Sequence, residues 1–307
     1  MHLAGPVRPT RSPVVAALVA LLVLGSAVGA SASNPEPVLD SPRYELDYSA
    51  VPGYRSWIKA SDANGYRLIV EPAGEDRYVV AQGAEVGIGS DLALDTVLGD
   101  VLVFTQTEVD ADLRIWDLDA ERFIHTPDGI NTADPEYGAE ISGEHLLLGR
   151  DPRHNGLPTQ VVLVDLTSGR SRILARSKGA AGPDSLNGDW ATYTVCPTSG
   201  PTACDVYRYR ISTGRVWALP RSEHRSLYAS AVTPDGTVFV VRGPGGCGGG
   251  VSIVRWTPDG RRTLTELRDR FDVWNMDVLS EADATTLFFQ RTTCSTPLGY
   301  DIFRLEV

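Results

Sequence analysis

Beyond its first thirty-two residues the chain has no run apolar enough to cross a bilayer, and no hydrophobic period of helical spacing persists along it. A cationic excess is missing too. The 307 residues carry 28 Lys and Arg against 39 Asp and Glu, a formal charge of −11. Phosphate recognition needs clustered cations, so this balance argues against nucleic acid and anionic lipid as partners. There is no Cys-x-x-Cys pair to suggest zinc and no Gly-x-Ser-x-Gly elbow to expose a nucleophile. Gly243-Pro244-Gly245-Gly246-Cys247-Gly248 matches a Gly-x-Gly-x-x-Gly spacing, but the following Val251 onward reads as strand. A phosphate cradle needs a helix N-terminus there, so nucleotide binding fails on context. No catalytic residue, metal ligand or cofactor is assigned.

Residues 1–32 read as a secretory signal peptide. Arg8 and Arg11 supply the basic region, Val14 to Leu24 the apolar run, and Ala30-Ser31-Ala32 the cleavage site. An uncleaved anchor is the alternative, although the apolar run is short for a span. Cleavage removes two Arg and no acid, taking the formal charge from −11 to −13. The expectation is a secreted protein with no membrane insertion after cleavage, acting as a monomer. Residues 33–42 read as a Pro-rich linker.

What is present is a strand-forming repeat. A hairpin motif recurs roughly every 45–49 residues: Leu113 to Leu118, Val161 to Leu166, Val206 to Ile211, Val251 to Trp256 and Asp301 to Leu305, with a weaker copy at Tyr66 to Val70. An apolar strand precedes each, as in Val101 to Thr105 or His145 to Arg150. A shorter strand comes before that, as in Ala139-Glu140-Ile141. Sheets with two apolar faces must bury each other around an axis. The fold class expected is all-β: a six-bladed β-propeller of four-stranded antiparallel blades over residues 43–307. The last module ends in its third strand. Arg43 to Tyr48 either completes it from the N-terminal side, removing an open edge, or forms the inner strand of the first blade.

The run from Thr233 to Arg242 (TPDGTVFVVR) resembles the repeat of TolB-like propellers, which also occurs in the propeller of prolyl-oligopeptidase-type enzymes. That resemblance spans all six modules and implies the same fold. Only one module keeps the Pro-Asp-Gly turn, and the domains that flank the propeller in those proteins have no counterpart here. Fold analogy by itself assigns no chemistry.

Four Cys in an exported chain imply two disulfides with three possible connectivities. Cys196 and Cys204 flank one short hairpin loop and are expected to pair. Cys247 and Cys294 occupy the equivalent loops of the next two modules, where adjacent blades bring them together. Lys59, Arg150, Arg242 and Arg291 recur at the exits of second strands. They are expected either to ring the funnel mouth and clamp an anionic small molecule or to pair with nearby acids. His154 and His224, in loops on the same face, complete the candidate ligand-binding set. Acidic loops at Glu108, Asp110, Asp112 and at Asp128, Asp134, Glu136 lack the full calcium-loop pattern. The Trp residues, falling mostly in strands, read as inter-blade core rather than sugar platforms. The functional expectation is a non-catalytic module binding a protein or ligand on the cysteine-bearing face. The alternative is a propeller hydrolase or lyase acting on a small molecule or glycan in the central funnel.

Overall fold

The computed structural model describes residues 34–39, 44–61, 65–83, 86–87, 89–106, 111–152, 156–197, 203–221, 225–244, 249–267, 271–281, 284–293 and 299–307. The segment read as a signal peptide lies outside them. Six four-stranded antiparallel sheets form a six-bladed β-propeller. Blade one holds β2 (Glu45–Val51), β3 (Tyr54–Ser61), β4 (Gly65–Pro72) and β5 (Tyr78–Gly83). Blade two holds β6 (Ser90–Thr96), β7 (Gly99–Gln106), β8 (Asp112–Asp117) and β9 (Arg122–Ile124). Blade three holds β10 (Glu136–Ser142), β11 (His145–Arg150), β12 (Thr159–Asp165) and β13 (Arg170–Ser177). Blade four holds β14 (Ala180–Asn187), β15 (Trp190–Cys196), β16 (Asp205–Arg210) and β17 (Arg215–Ala218). Blade five holds β18 (Ser226–Val232), β19 (Val238–Gly243), β20 (Val251–Thr257) and β21 (Gly260–Leu267). Blade six holds β22 (Phe271–Ser280), β23 (Thr285–Thr293) and β24 (Gly299–Glu306), and is completed by β1 (Glu36–Leu39).

That completion corrects the reading of the N-terminal region. The segment taken as linker supplies the closing strand: Glu36 pairs with Arg304 and Pro37 with Phe303, and Glu36 also meets the Arg304 guanidinium at 2.8 Å. Pro is tolerated because β1 is an edge strand. Of the two roles open to Arg43–Tyr48, its strand portion takes the inner position of blade one, within β2.

Alternation explains why the second strands are apolar throughout. In β7, Val101 and Val103 pack toward blade three with Ile141, Leu146 and Leu148. Leu102 and Phe104 pack the other way, toward Leu46, Ile58 and Leu68 of blade one. Successive side chains of a strand point to opposite faces, so a strand between two neighbours needs apolar residues at every position. Trp57, Phe104, Phe239 and Phe289 are fully buried in these interfaces, each contributing roughly 1.5–3 kcal/mol over exposure.

Every inner strand carries a register shift against its partner, between Leu46 and Ser49, Ala93 and Thr96, Tyr137 and Glu140, Pro183 and Ser185, Tyr228 and Ser230, and Val273 and Met276. A bulge bends the strand and re-aims a side chain. Asp47 and Ala229 sit in two of these bulges with φ of 44° and 46°, left-handed values that L residues hold only when their surroundings impose them.

Candidate functional site: the axial channel

Inner strands of neighbouring blades do not form a common sheet, so amides along their free edges need other acceptors. Carboxylates and hydroxyls from the next blade meet that need. Asp91 accepts from Ser49 Oγ of blade one at 2.9 Å and from the Ile141 amide of blade three at 2.8 Å. Asp47 accepts from the Gly89 amide at 2.7 Å and from Asn275 Nδ2 at 3.0 Å. Asp277 accepts from the Ala50 amide at 2.9 Å, and Asp184 Oδ2 from Ser230 Oγ at 2.8 Å and Thr194 Oγ1 at 2.7 Å. Ser49 and Ser185 do the same work, accepting from the Leu92 amide at 3.1 Å and the Val232 amide at 3.2 Å. These bonds form a belt of polar contacts around the axis. At one point Gly89 and Gly138 approach so closely that a Cβ on Gly89 would lie 2.7 Å from Gly138 Cα.

Glu140 breaks the pattern. Two residues before the end of their inner strands, blades one, four and five carry Ser49, Ser185 and Ser230, each hydrogen-bonded to a neighbouring blade. Blade three has Glu140 there, and Glu140 accepts no hydrogen bond from the described residues. Burial and then the like charges of Asp91, Asp277, Asp184 and Asp47 hold its carboxyl well above the usual range. Asp184 is pushed up to about 7 by burial, against the lowering effect of its Thr194 and Ser230 donors. Asp91 is pushed up to about 8 by burial and then by the charge of Asp277, with its hydrogen bonds opposing. Asp47 and Asp277 are raised for the same first reason.

A cavity of about 810 Å³ opens at the end of the channel where the inner strands begin. Asp47, Glu140 and Asp184 supply its carboxyls, and Tyr44, Tyr66, Tyr137, Tyr300 and Trp274 supply its rings. Tyr44 and Tyr300 meet edge to face, with centroids 5.4 Å apart. Tyr137 is held by its hydroxyl, which donates to the Ala181 carbonyl at 2.6 Å, and by Gly149, where any Cβ would collide with the ring. A second cavity of about 210 Å³ lies at the opposite end, with Asp91 and Asp277 in its walls. Glu140 lines both, so it stands at the waist of the channel. Among the described residues no group of three His, Cys, Asp or Glu stands in metal-binding geometry.

The four basic candidates do not gather here. Arg150 Nε lies 2.7 Å from Glu136 Oε1, while its NH2 donates to the Ile130 carbonyl at 3.0 Å. Lys59 Nζ is 3.7 Å from Glu45, Arg242 donates to Ser252 Oγ at 3.2 Å, and Arg291 lies over the rings of Phe303 and Phe271. Second strands stand one place out from the axis, so their side chains meet neighbouring blades rather than the channel. Of the acidic loop residues, Glu136 is consumed by Arg150 and Thr132. His154, His224, Cys247 and Cys294 lie outside the described residues. The disulfide between Cys196 and Cys204 is present.

Two features of the site went unread in the sequence. Trp274 is not core: it is half exposed at the cavity rim. Glu140 fell in a recognised inner strand. Aligning the strand–turn junctions of the modules places it in register with three serines, and that mismatch was its signal.

No protein-family model and no curated protein matches the chain. Solved structures do match in fold. The β-propeller domain of the Trilobed protease from Pyrococcus furiosus is 11% identical, with 85% of this chain and 95% of that one covered and a TM-score of 0.52. That domain has an open velcro topology, whereas here β1 closes the last blade. An oligogalacturonate lyase in complex with manganese is 12% identical, with coverage of 83% and 86% and a TM-score of 0.50. A prolyl endopeptidase is 11% identical with a TM-score of 0.55; 86% of this chain is covered, and it spans only 41% of that protein. The protein is thus a six-bladed propeller whose structural neighbours are mostly hydrolases and lyases. At these identities the likeness carries the fold and not the chemistry.

Proposed function

We propose that the protein is a propeller hydrolase acting on a glycan or small glycoside in the 810 Å³ cavity. The observation that carries this reading is the pair Glu140 and Asp184 on adjacent inner strands. Glu140 is held protonated and spends nothing on the architecture, while Asp184 titrates at about 7 with Oδ1 outside its two hydrogen bonds. Hydrolysis of a glycosidic bond needs one carboxyl that holds its proton and one that has released it. Glu140 gives its proton to the leaving oxygen as the C–O bond breaks. Ionised Asp184 takes a proton from water as the water oxygen forms the new C–O bond, and exchange with solvent restores both groups. The aromatic rim offers flat apolar faces to sugar rings. The fold shared with an oligogalacturonate lyase is compatible with a carbohydrate substrate, but the acidic lining disfavours a polyuronate.

The disulfide and residues 1–32 support action outside the cytoplasm, and the Pro-Asp-Gly module supports a TolB-like reading of the repeat. The test is turnover of a panel of nitrophenyl glycosides by the full chain and by Glu140→Gln. We expect kcat to fall at least a hundredfold while the melting temperature holds. Turnover that survives Glu140→Gln removes the assignment. A second reading, the non-catalytic binding module, is favoured by the structural bonds of the other four channel acids. Ligand-induced stabilisation without turnover, lost in Trp274→Ala, would establish it.

A further inference from the structure

The cavity has a one-signed lining. Its carboxyls come from three blades, Asp47, Glu140 and Asp184, and no Lys, Arg or His stands among its described lining residues. Asp91 and Asp277 lie behind them on the far side of the waist and add to the same field. The rim is aromatic and accessible: Tyr44, Tyr66 and Trp274 are 38%, 37% and 49% exposed, far more than rings placed there for packing. Carboxyls at the base of a cleft focus a negative potential along its axis. Rings around the mouth present their negative faces to the same charge that those acids attract. An anion is repelled at both levels. A neutral sugar gains only from the rings and from hydrogen bonds.

We infer that the substrate carries a protonated amine beside its hydroxyls, seated between Glu140 and Asp184 with the Trp274 and Tyr rim over its ring. The chemical class is an amino sugar, or a small polyol amine of similar shape. This rests on the central cavity being the substrate site and narrows the ligand that the site takes. Glu140 is the residue that discriminates. Its partnerless carboxyl gains an ion pair with an ammonium but only a hydrogen bond with an amide. Asp47 contributes field alone, since both its oxygens are already engaged.

The test is titration calorimetry of the full chain with two tetrasaccharides of equal length, β-1,4-linked glucosamine and its fully N-acetylated counterpart, at neutral pH and low salt. We expect the amine form to bind at least tenfold more tightly. That advantage should shrink with added salt and fall within about twofold in Glu140→Gln, whose fold is protected because Glu140 makes no structural bond. Trp274→Ala should weaken both sugars. Equal affinities, or a preference for the acetylated sugar, overturn the amine assignment and leave the neutral-glycan hydrolase standing. Binding of neither sugar removes both readings.

Discussion

The two halves of the channel wall use the same residue type for different work. In blades one, two and six, Asp47, Asp91 and Asp277 are bound by amides and side chains of adjacent blades. In blades three and four, Glu140 is unbound and Asp184 keeps one oxygen outside its hydrogen bonds. A buried carboxyl is costly unless donors meet it. The first group therefore reads as architecture, and Glu140 as a cost retained for another purpose.

Asp91→Ala should break this comparison most sharply. It strips acceptors from the Ile141 amide and the Ser49 hydroxyl in the core of the belt, and about 2–4 kcal/mol of unfolding free energy should disappear in urea titrations. Glu140→Gln, at the same depth, should change stability by less than about 0.5 kcal/mol. If the two variants prove equally damaging, the distinction between them fails. Next in size, replacing Cys196 and Cys204 together by Ser should cost roughly 2–3 kcal/mol, because the bond closes only a short loop.

The smallest effect concerns pH. Carboxyls raised in the folded state bind more protons there than in the unfolded chain, so unfolding releases protons and stability declines as pH rises. The decline should run from near 4, where unfolded carboxyls ionise, to about 7 for Asp184 and about 8 for Asp91, and level off above. Thermal melts between pH 5 and 8.5 should show it, with a shallower slope in Glu140→Gln. A stability that climbs across this window would contradict the raised carboxyls.

Much of the architecture was readable without coordinates because the repeat is written in strand-length units. His145–Arg150 emerged with the expected bounds, and the hairpin at Val161 marks β12. The closing strand was harder. Glu36–Leu39 is four residues with a Pro, a pattern that carries no strand signal until β24 is present to pair with it. The basic candidates failed to form a site for a geometric reason. Lys59, Arg150, Arg242 and Arg291 share a position in their modules, but that position faces the next blade. A linear repeat gives equivalence and does not give direction.

The order of apolar strands and polar turns determined the six blades, because a sheet hydrophobic on both faces has no stable home except between two like sheets. Which carboxyls converge was decided only in three dimensions. Asp47, Asp91, Glu140, Asp184 and Asp277 are dispersed along the sequence, and only ring closure places them around one axis. There the bulge of each inner strand and the donors of its neighbours separate those that bind the blades together from the one left facing the channel.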